Sequence, residues 1–90
     1  MTVYIDRPEW PGHGGLWSHL ISDTSYEELH AFAAGLGIPQ RAFERDHYDV
    51  VAERYDSALD AGARPATSRE IVSLLQAAGL RRRKLSRLHR

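Results

Sequence analysis

The chain has 90 residues, 42% of them hydrophobic and 27% charged, which is the composition of a globular protein with room for one hydrophobic core. It contains no cysteine, which excludes disulfides, zinc held by thiolates, iron–sulfur clusters and thiol catalysis. The formal net charge of zero conceals an asymmetry, because residues 80–90 carry six basic and no acidic side chains, whereas residues 1–79 carry six basic and twelve acidic ones.

The first third of the chain predicts two strands. Val3-Tyr4-Ile5 indicates a short strand that ends at Asp6, and residues 7–15 contain two prolines and three glycines, which is typical of a loop. Residues 16–22 have apolar side chains on both faces and predict a buried strand. The loop at residues 7–15 is long for a hairpin and too short for a helical crossover.

Three helices follow, each with a start and a stop signal. The first is predicted over about residues 25–36, beginning with a Thr24/Glu27 or Ser25/Glu28 capping box and ending at Gly37. The second is predicted over about 51–61, and the third starts at Thr67 with Glu70 and ends at Gly79. Short strands are predicted near residues 41–43 and 63–66.

This alternation of strands and helices after residue 16 indicates an α/β fold. We expect a small, mostly parallel sheet of three to four strands with about three flanking helices. Residues 1–80 are predicted to form a single compact domain, followed by a basic C-terminal tail at 81–90. The tail is compatible with phosphate contacts, but a solvated terminus or one that folds back on the acidic body fits equally.

The sequence has no membrane-spanning signal. No apolar run approaches the roughly 20 residues that a membrane helix needs, and the N-terminus lacks the pattern of a signal peptide. A cytoplasmic protein without a membrane partner is therefore expected, and homo-oligomer formation is left open.

Polar side chains at predicted strand ends and helix starts indicate a candidate site. In an open α/β sheet such residues meet beyond the carboxyl ends of the strands, and a mixed set of imidazoles and carboxylates can hold a water-activating divalent metal such as zinc, manganese or magnesium. The predicted metal ligands are His19, Asp23, His47 and Asp49.

His47 and Asp49 flank Tyr48, so in an extended segment both project to one side. This favours either a general base oriented by a carboxylate or two ligands to one metal, and makes the pair the catalytic candidates. The predicted supporting residues are Asp6, His30, Tyr48 and Arg69.

Structural explanations compete for the same residues. Asp23 and Asp49 can be helix-start residues whose negative charge interacts favourably with the positive end of the helix dipole. His19 can be a structural histidine that is hydrogen-bonded to a carboxylate or a backbone carbonyl. His30 can be a surface residue, and His13 in the glycine-rich loop can either approach a ligand or remain exposed to solvent.

The segments Leu16–Thr24 and Glu27–Ala31, together with His47-Tyr48-Asp49, Ala61-Gly62-Ala63 and Arg69-Glu70, resemble a family of small proteins from bacteria and tailed phages. This family is the domain of unknown function numbered four-zero-three-one, and the resemblance spans about residues 1–80 without the basic tail. The family has no assigned activity. The resemblance implies that the polar candidate residues recur together, which favours a shared site over separate structural roles. The matching positions are Tyr4, Asp6, His19, Asp23, Leu29, His30, His47, Tyr48, Asp49, Gly62 and Arg69.

Two functions remain as hypotheses. The first is a metal-binding, hydrolase-like domain that acts on a phosphate-bearing substrate, such as nucleic acid or nucleotide, through the His/Asp cluster. The alternative is a non-catalytic module that binds protein or nucleic acid through its aromatic loop, residues 10–17, with the His/Asp cluster as a structural hydrogen-bond network.

Overall fold

The computed structural model describes residues 1–82. Six strands form one sheet: β1 Val3–Ile5, β2 Trp10–Gly12, β3 Gly15–Ser22, β4 Phe43–Glu44, β5 His47–Val51 and β6 Arg64–Pro65. The helices are α1 Tyr26–Gly35, α2 Tyr55–Asp60 and α3 Ser68–Ala78, with 3₁₀ turns at Gln40–Ala42 and Ala52–Arg54. No helix within residues 1–82 has the length and apolarity needed to cross a membrane.

The α/β class with three helices is confirmed, but the expectation of a mostly parallel sheet is wrong. The strand order is β4-β5-β3-β1-β6, with β2 also paired to β3, and within the described chain only β1 and β6 run parallel. β3 pairs antiparallel with β1, β2 and β5. Tight turns after β2 and β4 reverse the chain at once, so no helical crossover is needed at those positions.

The predicted loop at residues 7–15 contains one of these hairpins. Trp10–Gly12 pairs with β3, and the connecting residues His13 and Gly14 both have positive φ, 47° and 77°. A two-residue turn with φ > 0 at both positions matches the twist of antiparallel strands. Pro11 is compatible with β2 because β2 pairs on one side only within the described residues.

The predicted second helix also starts too early. It is predicted from about residue 51, but Val51 ends β5, Ala52–Arg54 form a 3₁₀ turn, and α2 begins only at Tyr55. β5 pairs with β3 and buries Tyr48 and Val50 in alternation. The other two helices are close to their predicted bounds, and α3 has the expected Thr67/Glu70 capping box and a left-handed Gly79.

The two faces of the sheet bury different clusters. The first face, which includes Ile5, Leu20 and Val50, packs against α1 and α2 and carries most of the core. On the second face, Ile21 packs against Ile71 and Leu75 of α3. Farther along β3 on this second face lies His19, beside two open clefts.

Candidate metal centre

A row of three polar side chains crosses the sheet on its second face. Asp49 of β5 is the cross-strand partner of His19 in β3, and on the other edge of β3 the Asp6 amide donates to the His19 carbonyl over 3.2 Å. Cross-strand partners project to the same face, and His47, two residues before Asp49, projects there too. The antiparallel register thus gathers His19 of β3, the β5 residues His47 and Asp49, and Asp6, which directly follows β1.

Asp6 fixes the orientation of His19. The ring Nδ1–H of His19 donates to Asp6 Oδ2 over 2.8 Å, and the His19 backbone N–H donates to Oδ1 over 2.6 Å. Trp10 Nε1–H and the Ser68 hydroxyl also donate to Oδ2, over 3.2 and 2.7 Å. Because Asp6 can only accept when ionised, this arrangement holds the proton on Nδ1 and leaves the His19 Nε2 lone pair for a ligand.

The electrostatics agree with an ionised Asp6, although its side chain is only 1% exposed. Burial by itself would raise the pKa of Asp6, but the hydrogen bonds from His19 and Ser68 outweigh burial and hold the pKa below its ordinary value.

His47 lies between two carboxylates. Its Nδ1–H donates to Asp46 Oδ1 over 2.9 Å, and its Nε2 lies 3.1 Å from Asp49 Oδ1. Burial would lower the pKa of His47, but the hydrogen bonds to Asp49 and Asp46 outweigh it and raise the pKa above its ordinary value. The hydrogen bond from His47 lowers the pKa of Asp49. When His47 is protonated, its Nε2–H donates to Asp49 and holds this pair together.

Asp46 is fully buried and is itself held by residues 80–82, which we call the C-terminal strap. The Arg82 backbone N–H donates to Asp46 Oδ2 over 2.8 Å, and Arg81 Nη1 lies 3.4 Å from the same oxygen. Tyr26 donates its hydroxyl proton to the Leu80 carbonyl, and the Arg82 guanidinium lies 4.3 Å from the centre of the Tyr26 ring. The strap therefore neutralises the carboxylate that orients His47.

His19, His47 and Asp49 each offer one ligand atom, and these three atoms lie within 4.8 Å of one another. Atoms that share one ion at about 2.1 Å are roughly 3 to 4 Å apart, so small side-chain movements would close the set around a metal. Two imidazoles and one carboxylate leave coordination positions open for water or substrate.

Two clefts meet at His19 and Trp10. One, of about 490 Å³, is lined by Trp10, Trp17, His13 and Arg41 together with His19 and Asp49, and we call it the aromatic cleft. The other, of about 410 Å³, is lined by Arg45, Arg69 and Arg81 together with His19 and His47, and we call it the arginine cleft. The group of His19, His47 and Asp49 is thus reachable from both sides of His19.

Four of the sequence-predicted residues are brought together here, namely His19, His47, Asp49 and the supporting Asp6. Asp23 is not among them. Its carboxylate accepts from the Thr2 backbone N–H over 2.9 Å and from the Thr24 hydroxyl, beyond the far end of β3. The prediction placed the site where parallel strands end, whereas antiparallel pairing centres it on the middle of β3.

The remaining predicted supporting residues lie outside the group formed by Asp6, His19, His47 and Asp49. Tyr48 projects to the first face of the sheet, where it is buried and its hydroxyl lies 2.7 Å from His30 Nδ1. Both rings pack with Phe43, so they belong to the core and not to the metal centre. Arg69 is exposed and lines the arginine cleft, and His13 is exposed at the hairpin turn with its ring edge toward Trp17.

Two residues that hold the centre were missed. Asp46 precedes the strand that carries His47, and Ser68 is 62 residues away from Asp6, to which it donates. Asp46 was visible only as an acid adjacent to a candidate histidine. For Ser68 the sequence contains no signal, because only the packing of α3 on the sheet brings its first turn to Asp6.

Comparison with known proteins locates this centre within a family. The model of the family described as Protein of unknown function (DUF4031) matches residues 3–78. The chain belongs to this family. The expected resemblance is therefore confirmed, and the matched range includes Asp6, His19, His47 and Asp49 but not the strap. No curated protein and no solved structure matches the chain.

Proposed function

We propose that this DUF4031 protein binds one divalent metal ion through His19, His47 and Asp49. The observation that carries the proposal is that both histidines donate Nδ1–H to a buried carboxylate, Asp6 or Asp46, while their other ring edges converge with Asp49. Metal-binding histidines commonly have this support, which fixes the ring and strengthens Nε2 as a ligand. Two imidazole ligands favour zinc over magnesium, which prefers oxygen ligands.

The exposure of the centre favours a reactive site over a purely structural network. The Asp49 side chain is 45% exposed and both histidines line open clefts. A network that served only stability would gain most from complete burial, since solvent weakens each pair. We therefore extend the proposal to hydrolysis, for which a bound metal lowers the pKa of a water molecule.

The charges around the clefts favour a phosphate-bearing substrate. Arg41 lines one cleft, and Arg45, Arg69 and Arg81 line the other. Guanidinium groups match phosphate oxygens in charge and geometry. In the proposed reaction water attacks phosphorus, the ester P–O bond breaks, and the leaving oxygen takes up a proton, so that an alcohol and a phosphate are released.

Metal binding is tested by titrating zinc and manganese into chelator-treated protein, followed by calorimetry and a thermal melt. We expect binding of one ion and a higher melting temperature, because a ligand at 100 times its Kd stabilises the folded state by about 2.7 kcal/mol. His19→Ala and the nearly isosteric Asp49→Asn should lose this response, whereas the control His13→Ala, at the exposed turn, should keep it. A melt indifferent to every metal and to chelator would overturn the proposal and favour the alternative, a non-catalytic module.

Hydrolysis is tested with chromogenic phosphate monoesters and diesters. We expect turnover that requires the added metal and disappears in Asp49→Asn. If the protein binds the ion but cleaves none of these esters, the proposed metal site stands and the proposed hydrolysis is wrong.

A further inference from the structure

The aromatic cleft has a wall that is both exposed and fixed in position. Trp10 is 44% exposed, although its indole N–H is held by Asp6 and by the Ser68 hydroxyl. Trp17 donates its indole N–H to the Gly12 carbonyl over 2.8 Å, and the His13 ring stands edge-on to it at 6.1 Å. Exposed aromatic rings that are already immobilised lose little conformational entropy when they bind a flat ligand.

The wall and the metal centre share one anchor. Asp6 Oδ2 accepts from Trp10 on one side and from His19 on the other, and the Trp10 and His19 ring centres are 5.0 Å apart. The position of the Trp10 ring is therefore set by the same carboxylate that orients the candidate ligand His19. A ligand that contacts Trp10 lies beside the metal centre.

The rest of the cleft is lined by charged and polar side chains. Arg41 lines it together with Glu44, and His19 and Asp49 connect it to the metal centre. At about 490 Å³ its volume lies in the range of small-molecule sites. The cleft thus combines aromatic rings, a cation and metal ligands within the dimensions of one nucleotide.

We propose that the aromatic cleft binds a nucleoside phosphate, with the base against Trp10 and Trp17 and the phosphate toward Arg41 and the metal centre. This deepens the proposed function and rests on it for the role of the metal. A free nucleotide and a nucleotide within a single strand both present an unstacked base, whereas in a duplex the bases are stacked and unavailable to an aromatic wall.

Binding is measured by tryptophan fluorescence and calorimetry, with and without zinc or manganese. The probes are AMP, ribose 5-phosphate, a single-stranded octanucleotide and the corresponding duplex. Stacking of a base on aromatic side chains changes affinity by roughly 5- to 150-fold. We expect AMP to bind at least about tenfold more tightly than ribose 5-phosphate, and the single strand more tightly than the duplex. If the octanucleotide binds more tightly than AMP, the natural ligand is a strand; if not, it is a free nucleotide.

Matched variants separate the wall from the metal centre. Trp10→Leu should lower AMP affinity toward that of ribose 5-phosphate. Trp10→Phe, which keeps a ring, and Leu16→Ala, at an exposed position outside the cleft lining, should retain most of the AMP affinity. Metal affinity is measured on each variant. Equal affinity for AMP and ribose 5-phosphate, or unchanged AMP affinity in a folded Trp10→Leu protein, would overturn the nucleotide proposal. If the protein binds AMP more tightly than ribose 5-phosphate but binds no metal, the metal-site proposal is wrong and the nucleotide proposal stands.

Discussion

At the scale of single residues, the buried carboxylates are the most consequential groups. Asp6 accepts four hydrogen bonds, from His19 twice and from Trp10 and Ser68. A buried charge is tolerated only when its oxygens are satisfied in this way, and removal of the charge leaves its donors without an acceptor. Stability and ligand orientation therefore depend on the same atoms.

Asp6→Asn is the first prediction. An amide cannot accept all of these bonds, so we expect a loss of about 3 kcal/mol in the free energy of unfolding and 10- to 100-fold weaker metal binding. Urea unfolding and calorimetric titration measure the two effects. Asp23→Asn, which changes an aspartate outside the centre, should cost at most about 1 kcal/mol and leave metal affinity unchanged. Similar metal affinities for both variants would show that Asp6 does not support His19.

The second prediction concerns pH. The pKa of folded His47 lies above its ordinary value of 6.5, so its contribution to the stability of the metal-free protein is complete below pH 6.5 and lost as the pH rises through the folded pKa. The folded pKa values of Asp6, Asp46 and Asp49 lie below 3.8, so their contributions are present above pH 3.8 and lost on acidification.

Urea unfolding of metal-free protein between pH 4 and 9 tests this directly. We expect the free energy of unfolding to decline above about pH 6.5 in the wild type and to decline less in His47→Gln, which cannot titrate. An identical alkaline decline in both proteins would contradict the assignment to His47.

At the scale of elements, the β2–β3 hairpin places the aromatic wall beside β5. Its turn requires a left-handed backbone at Gly14, whose φ is 77°, whereas the neighbouring Gly15 has no such requirement. We expect Gly14→Ala to destabilise the protein by about 1 kcal/mol, with little change in Gly15→Ala, since a Cβ meets no atom at either position. Thermal or urea unfolding checks this matched pair, and equal stabilities would contradict the turn geometry.

The C-terminal strap is the second element with a defined role, because it supplies a backbone donor to the buried Asp46. Arg82→Pro removes that N–H, while Arg82→Ala keeps it and loses the side-chain contacts with the Tyr26 ring and the Arg45 carbonyl. We expect Arg82→Pro to lower the free energy of unfolding by about 1–3 kcal/mol and to weaken metal binding, and Arg82→Ala to cost under about 1 kcal/mol. Indistinguishable variants would mean that the strap does not hold Asp46.

At the scale of the whole molecule, charge is segregated along the chain. Arg81 and Arg82 fold back on Asp46, as one of the sequence alternatives allowed, and the remaining basic residues of the tail, at 83–90, lie outside the described residues. Whether they contact phosphate therefore stays a prediction, and deletion of 83–90 tests it without disturbing the strap.

That deletion removes four basic side chains, Arg83, Lys84, Arg87 and Arg90. If all four contact a single strand, the slope of log affinity against log salt should become shallower by about 3, because each phosphate contact releases about 0.7 counterion. Affinity is measured for the single-stranded octanucleotide at several salt concentrations. Equal affinities and slopes for the full and shortened chains would identify the tail as a solvated terminus.

Local patterns in the sequence determined the features that depend on neighbouring residues. The strands near Val3 and His19, the capped start of α3 and its stop at Gly79 were all predictable, since capping, periodicity and glycine conformations act within a few residues. The alternation of His47, Tyr48 and Asp49 likewise indicated two side chains on one face.

Only the tertiary structure decided how those pieces meet. Strand direction depends on which edges of β3 are occupied and on two short turns, and the antiparallel register then placed Asp49 opposite His19 and left Asp23 beyond the end of the strand. Ser68 and the strap reach the buried carboxylates because α3 packs on the same face as the centre. Such contacts join residues tens of positions apart, and their energies arise only when the sheet and helix are assembled, so no local pattern records them.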